Sequence, residues 1–216
     1  VGGQRAATYR FNGYTLGGYW TGYGPGDWYL DGVLQATWYD AKAQSARNLP
    51  ELKTSGWGFA GSLEGGYPFK LQGNWIVEPQ AQLTAQQVNL SDGTDGAATV
   101  KFDDMDSVAG RIGVRVARTV ALTSTPQDPN ARLLIGWARA SAWHEFSGTP
   151  TTSFSSANGF VPFKSDLGGS WWELKGGVTS EIARNTFVYG SLGYQRGFDG
   201  DRWAWDGKLG VRMHWQ

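Results

Sequence analysis

Few residues of this chain have the types and spacing that catalysis would require. The sequence contains two histidines, His144 and His214, and no cysteine. Neither histidine belongs to a recognisable pattern, since the chain has no Gly-x-Ser-x-Gly segment and no His-x-x-x-His pair. Glu64, Glu78 and Glu145 are candidate proton-transfer groups. Because catalytic triads are recognised by geometry, a hydrolase stays an open hypothesis; the interpretation we favour is a chain without catalytic residues.

A second group with possible ligand chemistry is an acidic stretch over residues 91–106. Its spacing is not that of an EF-hand, so it is either a cation site or, as we favour, a solvated loop. The glycine pairs at 17–18 and 168–169 are not followed by Lys-Ser/Thr and do not predict a phosphate loop. With 19 basic and 19 acidic residues, no bulk charge favours nucleic acid. The sequence predicts no metal and no cofactor. The aspartates of the stretch are Asp92, Asp95, Asp103, Asp104 and Asp106.

The element that best explains the chain is the alternating stretch over residues 27–40. Side chains of a strand point alternately to its two faces. One face here is wholly apolar with an indole at each end, and the other is mostly polar. The two indoles are ten positions apart, which is ~33 Å along a strand and ~25 Å when the strand is tilted by about 40°. That height predicts a strand that spans a membrane. The apolar face carries Trp28, Leu30, Gly32, Leu34, Ala36 and Trp38.

Composition agrees with a membrane β-barrel. The chain has 12 Trp, 9 Tyr, 10 Phe and 32 Gly, a combination typical of aromatic girdles and curved strands. Mean hydropathy is −0.40, but polar lumen residues offset apolar lipid-facing residues in a barrel. No stretch approaches the roughly 18 apolar residues of a transmembrane helix.

Nine alternating segments predict an all-β fold, an antiparallel transmembrane β-barrel in one domain over residues 1–216. The connections alternate short and long, except that the one at 199–201 is short where a long one is expected, and outer-membrane barrels have short periplasmic turns and longer outer loops. This alternation places Trp215 on the periplasmic side. Bacterial barrels have even strand numbers, so nine strands indicate either a miscount or part of a barrel. The long connections are predicted at 41–54, 91–106 and 147–168, an intermediate one at 123–131, and short ones at 24–27, 70–73, 184–185 and 199–201.

The alternation also assigns side chains to the two faces. Aromatic residues at strand ends are predicted to form the girdle: Trp28, Trp38, Trp57, Tyr67, Trp75, Trp172, Tyr194 and Trp205. Polar residues on the opposite faces are predicted to line the lumen: Glu64, Glu78, Gln80, Gln82, Arg111, Arg115, Arg139, Glu145, Glu173 and Lys175. Two interpretations of the lumen set stay open, because these residues can contact a chain inside the barrel or pair with one another across strands.

Several segments resemble the translocator domain of the monomeric autotransporters. The resemblance covers essentially the whole chain and is carried by GYTLGGYWT (13–21), GDWYLDGVLQ (26–35), SLEGGYPF (62–69), EPQAQL (78–83), WHEF (143–146), SDLGG (165–169) and LGVRMHW (209–215). It implies a twelve-stranded outer-membrane barrel with a helix through its pore, joined to an N-terminal passenger. On that pattern, this chain is similar to the last nine strands, without the first three strands and the plug helix.

The resemblance also implies a function and partners. It implies a Gram-negative outer-membrane barrel that anchors and helps export its own passenger, as a monomer, with no nucleic acid or cofactor. The alternative is a structural or adhesive barrel whose outer loops bind a partner. The last strand is expected either to pair with the barrel-assembly machinery by strand addition or simply to add a girdle aromatic. Its apolar residues are Leu209, Val211, Met213 and Trp215.

Overall fold

The computed structural model describes residues 8–44, 50–94, 98–122, 132–148, 151–156, 159–164, 168–183, 186–200 and 202–213, and these residues contain strands and turns. No helix of the described residues is long and apolar enough to cross a membrane. The strands are β1 (Thr8–Tyr23), β2 (Tyr29–Gln44), β3 (Leu52–Gly66), β4 (Phe69–Leu71), β5 (Trp75–Leu90), β6 (Gly93–Thr94), β7 (Thr99–Phe102), β8 (Met105–Ala121), β9 (Leu133–Glu145), β10 (Thr151–Ser156), β11 (Gly159–Lys164), β12 (Gly169–Ala183), β13 (Thr186–Gly197) and β14 (Trp203–Met213).

Nine long strands form one antiparallel sheet that curls into a half-barrel. Their order is β1-β2-β3-β5-β8-β9-β12-β13-β14, so each strand pairs with the next long strand along the chain, and β4 adds a short pairing to β5. The predicted all-β antiparallel fold with nine strands is confirmed. The twelve-stranded barrel concerns segments outside this sequence and stays a prediction.

The two faces of this sheet differ as the alternation requires. On one face, charged side chains are withdrawn from solvent: Arg111 is 2% exposed and Glu173 is 6% exposed. On the other face, large apolar side chains are open, with Leu209 90% exposed. In a single curved sheet, the face that shields its side chains is the concave one. We therefore call the charged face the inner face and the apolar face the outer face.

Aromatic residues lie in a row on the outer face. Tyr14 is paired with Trp38, and Trp38 with Trp57, so these three rings come from neighbouring positions of β1, β2 and β3. All three rings are exposed. Such a row at one height is the arrangement expected at the edge of a hydrocarbon layer. We call it the Trp38 row.

Two tight turns lie at the end opposite to this row. Gly26 and Asp27 follow each other with φ values of 84° and 66°, and Gly73 and Asn74 with 74° and 61°. In the first turn the amide of Asp27 donates to the carbonyl of Gly24 at 3.1 Å, so Pro25 and Gly26 are its central residues, and a proline followed by a glycine with positive φ forms a type II turn. The turn predicted at 70–73 lies at 72–74, because Phe69–Leu71 is a strand that pairs with β5.

Three predicted loops are shorter or more ordered than their composition suggested. β2 runs to Gln44 and β3 starts at Leu52, inside the predicted connection 41–54. The predicted loops 91–106 and 147–168 contain four strands that pair in the order β11-β10-β7-β6. One face of this loop sheet is apolar, since Phe154 pairs with Val100 and Val161, and Phe163 lies beside Phe154 with ring centroids 5.5 Å apart. The two loops thus bury part of each other's apolar side chains.

Candidate functional site

The candidate site is a belt of charged side chains on the inner face. The strand register creates it, because residues directly opposite each other in an antiparallel sheet share a face. One row of pairs runs from Glu78 through Arg115 and Arg139 to Lys175. Glu173 lies two positions from Lys175 on the same strand and so points to the same face. Charges that are far apart in the sequence are therefore neighbours on one surface.

One half of the belt centres on Arg111. Its Nη2 lies 2.6 Å from Oε2 of Glu64, and the guanidinium lies 5.4 Å from the ring centroid of Trp143. Tyr29 donates its hydroxyl hydrogen to Oε1 of Glu64 at 2.8 Å and accepts from Nε2 of Gln80 at 2.8 Å. Each carboxylate oxygen of Glu64 therefore has its own donor, and such charge-assisted bonds hold this part of the belt in one arrangement.

The other half centres on Glu173. Oε1 of Glu173 accepts from Nη2 of Arg139 at 3.1 Å, and Oε2 lies 3.1 Å from Nζ of Lys175. Lys175 also lies 3.2 Å from Oδ1 of Asp206 on the last long strand. Between the two halves, Arg115 and Glu78 are 3.8 Å apart. The charges are thus mostly neutralised within the wall itself.

Some hydrogen-bonding capacity of the belt is not used by the described residues. Buried atoms without a protein partner there include Nε and Nη1 of Arg111, Nε of Arg139, Oγ of Ser141 and Nε1 of Trp143. Trp143 stacks on Trp171 with ring centroids 5.6 Å apart and planes at 5°. The inner face therefore combines paired charges, free donors and flat aromatic surface, which suits transient contact with a polar chain more than tight binding.

The structure does not bring all ten predicted lumen residues into this belt. Glu145 lies on the inner face near the end of β9, where its oxygens accept from Oγ of Ser107 at 2.6 Å and the amide of Val108 at 2.8 Å. Gln82 donates to Oγ of Ser62 at 2.7 Å. Both are held by local bonds. The other eight take part in the belt: Glu64, Glu78, Gln80, Arg111, Arg115, Arg139, Glu173 and Lys175.

Three residues that complete the belt were not among the predicted lumen residues. Tyr29, Trp143 and Asp206 all lie on the inner face and contact charged residues of the belt. Alternation alone would have found Tyr29 and Asp206, because each lies on the polar face of its strand. Alternation also places Trp143 on this face, two positions from Glu145, but its residue type does not indicate a lumen position, since an indole on a barrel strand is equally expected at the outer girdle.

The predicted girdle and terminal residues lie on the outer face or at its rim. Trp172 and Tyr194 contact each other, with ring centroids 5.5 Å apart. Trp28 and Tyr67 belong to the connections that follow β1 and β3 and are partly exposed. Leu209, Val211 and Met213 form an exposed apolar stripe on β14, and Trp215 lies outside the described residues.

The candidate catalytic histidine is not in the inner belt. His144 lies on the outer face, where Nδ1 is 2.8 Å from Oγ of Ser170 and the ring is edge-on to Phe146 at 4.7 Å. His214 lies outside the described residues. Among the residues that the structure describes, no group of three His, Cys, Asp or Glu side chains is arranged to hold a metal ion.

Removing the hydroxyl of Tyr29 tests the packing of the belt. We expect Tyr29→Phe to lower the free energy of unfolding by about 1–3 kcal/mol, because Glu64 and Gln80 lose a half-buried hydrogen-bond partner. The measurement is the urea concentration at which the purified protein loses its heat-modifiable gel mobility. Tyr19→Phe is the control, since Tyr19 is 85% exposed on the same face. Equal midpoints for the two variants would contradict the role given to Tyr29.

Comparison with known proteins places this fold in context. The model of the autotransporter beta-domain family matches residues 2–193. The BrkA autotransporter of Bordetella pertussis is 32% identical over 199 residues, which are 87% of this chain and 18% of that protein. The pertactin autotransporter of Bordetella bronchiseptica is 29% identical over 205 residues, 90% of this chain and 21% of that protein. The chain thus spans about a fifth of the length of these relatives.

Two solved structures share the fold. The crystal structure of the beta domain of the Bordetella autotransporter BrkA superposes with a TM-score of 0.70 and 27% identity, over 96% of this chain and 75% of that chain. The transport unit of the autotransporter AIDA-I from Escherichia coli superposes with a TM-score of 0.72, over 97% of this chain and 68% of that chain. At 20% identity, the second match supports the fold alone.

Proposed function

Because this chain belongs to the autotransporter beta-domain family, whose barrels lie in the Gram-negative outer membrane, we propose that it anchors an N-terminal passenger there and helps to export it to the cell surface. The proposed conduit is bounded by the inner belt. The passenger is the substrate, and no nucleotide or cofactor takes part.

The observation that carries this proposal is the self-neutralisation of the inner belt. A conduit must be polar enough to stay hydrated, yet it must release each segment of the moving chain. Arg111, Arg139 and Lys175 already have carboxylate partners within 3.2 Å, so they gain little by binding a carboxylate of the passenger. An unpaired row of one sign would hold a chain of the opposite sign.

The remaining partners follow from the outer face and the last strand. The apolar outer face would contact lipid directly, with the barrel acting as a monomer. The exposed stripe of Leu209, Val211 and Met213, together with Trp215, would be presented to the barrel-assembly machinery, which can pair with an edge strand through backbone hydrogen bonds. Among the described residues, β14 pairs on one side only, with β13.

Surface display of the passenger tests the export role. We expect cells producing the full-length protein to lose most passenger signal after protease treatment from outside, and cells producing a protein without residues 8–213 to keep it in the periplasm. The measurement is a passenger immunoblot on intact and lysed cells. Lys208→Gln, an exposed inner-face substitution, is the control that should leave display unchanged. A passenger that reaches the surface without the barrel would overturn the proposal.

The alternative function, adhesion through the outer loops, is favoured by one observation. Phe154, Phe160 and Phe163 of the β10–β11 hairpin are each more than two-fifths exposed. Replacing residues 151–164 by a short turn separates the two functions. An adhesive barrel would keep passenger display and lose binding to the host or surface, whereas a pure translocator would keep all binding that its passenger provides.

A further inference from the structure

Three cationic residues lie side by side at one rim of the outer face. Arg10 is paired with Lys42, and Lys42 is paired with Lys53, so the three residues occupy neighbouring positions of β1, β2 and β3. Directly opposite side chains of an antiparallel pair have Cβ atoms about 5 Å apart, and like charges placed there repel. They share the outer face with the Trp38 row, because each lies four positions beyond the row on its own strand.

The protein neutralises this cation row only in part. Lys53 lies 3.6 Å from Glu51, and the two side chains are 65% and 38% exposed. Arg10 and Lys42 have no ion pair within 4 Å among the described residues. Asp40 shares this face one row closer to the aromatic residues and is in no ion pair of the described part. The row thus places three cations beside two carboxylates, and a ligand with two or three phosphates would complement the excess positive charge.

The height of the row indicates where that anion lies. Four residues correspond to ~13 Å along the strand and to roughly 10 Å along the membrane normal at a tilt of about 40°. The cation row therefore lies just above the edge of the hydrocarbon layer, at the level of lipid headgroups. The rim faces outward, because it is next to the connection after β2, and the tight turns are at the opposite end.

Two cations near the opposite rim have partners within the protein. Lys70 forms an ion pair with Asp27, and the guanidinium of Arg118 lies 5.2 Å from the ring centroid of Trp75. Lys70 and Arg118 therefore differ from Arg10 and Lys42, which have no such partner among the described residues.

A groove on the same strands lies deeper in the hydrocarbon layer, beyond the Trp38 row. It has a volume of about 1000 Å³, and most of its lining residues lie on the outer face. Glycines form its floor: a Cβ added to Gly18 would meet no atom within 4 Å, and one added to Gly32 would only reach Trp20 at 4.0 Å. The groove walls include Leu34, Phe59 and Leu63. Its apolar walls and membrane depth suit an acyl chain.

We propose that the Arg10–Lys42–Lys53 row binds the phosphates of lipopolysaccharide in the outer leaflet, with one of its acyl chains in the Gly18–Gly32 groove. The row supplies the charge complementarity, and the groove below it supplies a place for the chain that a phosphorylated lipid carries. This site depends on the outer-membrane location of the barrel and not on passenger export.

Binding to lipid of defined composition tests this site. The full-length protein is purified from the outer membrane in detergent, stripped of lipid, and titrated with vesicles of phosphatidylethanolamine with and without lipopolysaccharide. We expect the triple variant Arg10→Gln/Lys42→Gln/Lys53→Gln to bind the lipopolysaccharide vesicles on the order of 100-fold more weakly at low salt. The charge-matched control Lys70→Gln/Arg118→Gln/Lys208→Gln should bind as the parent protein does.

Two further experiments test which phosphate-bearing ligand binds and whether the groove takes part in binding. Inorganic phosphate and phosphatidylglycerol vesicles should compete poorly, because neither offers several phosphates at the spacing of the row. Gly32→Leu, which fills the groove without a backbone clash, should weaken binding of the lipid several-fold while the headgroup charges are intact. Parent-like binding by the triple variant, or equal binding of free phosphate, would overturn the proposal, whether or not export is affected.

Discussion

Replacing Arg111 by alanine is expected to lower the free energy of unfolding by about 3 kcal/mol. Its side chain is 1% exposed and lies 2.6 Å from Glu64, so its removal leaves a shielded carboxylate without its cation. Breaking a buried ion pair by removing one partner costs about 3–5 kcal/mol. The lower end applies because the Glu64 side chain keeps 21% exposure and a hydrogen bond from Tyr29.

The measurement is the urea midpoint of heat-modifiable mobility, taken on protein in detergent micelles. Lys208→Ala is the matched control, since it removes an exposed cation from the same face. The double variant Arg111→Met/Glu64→Gln should recover part of the loss, because it removes the uncompensated charge and refills the space. If Arg111→Ala unfolds at the same urea concentration as Lys208→Ala, the belt does not stabilise the wall.

Inner and outer faces were predictable because a barrel strand repeats a simple rule. In β3, Ser62 and Glu64 alternate with Leu63, and the strand is long enough to cross a membrane. The period of two is therefore visible in the sequence without knowledge of the neighbouring strands. The same rule holds in β9, although Trp137 shares the inner face with Arg139. Short turns fix the pairings of the strands that they join, such as β1 with β2 and β12 with β13, and the other pairings follow the general preference of consecutive strands to be neighbours.

The loop sheet was not predictable by the same rule. β7 pairs with β10, about fifty residues later in the chain. The sequence pattern of residues 99–102 does not indicate which distant strand pairs with them. Short segments outside the membrane are not forced to alternate over a lipid thickness, so register depends on contacts between two loops. For this reason residues 147–168 were predicted to form a loop, although they contain the hairpin of β10 and β11.

The residues of the belt could be predicted from the sequence, but the ion pairs that they form could not. Alternation placed Glu64 and Arg111 on the inner face, but their ion pair depends on the stagger between β3, β5 and β8. Two residues that are 47 apart in sequence meet only because Gln82 lies opposite both of them. The register, and not the composition of any strand, decides which charges neutralise each other.

The same register explains why the two faces can be altered independently. Successive residues of a strand lie on opposite faces of the sheet. A substitution at one position therefore tests contact with lipid, and a substitution at the next position tests the interior of the barrel. β5 offers such a pair at its centre. Leu83 is 53% exposed on the outer face, and the adjacent Thr84 lies on the inner face, where its hydroxyl is 3.4 Å from Oγ of Ser62.

Leu83→Lys is expected to lower the stability of the folded barrel in lipid by about 2–4 kcal/mol, because a lysine near the bilayer midplane loses its hydration. Thr84→Lys should change it by less than about 1 kcal/mol, since the ammonium group points into a polar interior. The measurement is reversible urea unfolding in phospholipid vesicles, followed by tryptophan fluorescence. In detergent micelles the difference between the variants should shrink, because the hydrocarbon layer there is thinner and more easily deformed. A larger loss for Thr84→Lys than for Leu83→Lys would mean that the two faces are assigned the wrong way round.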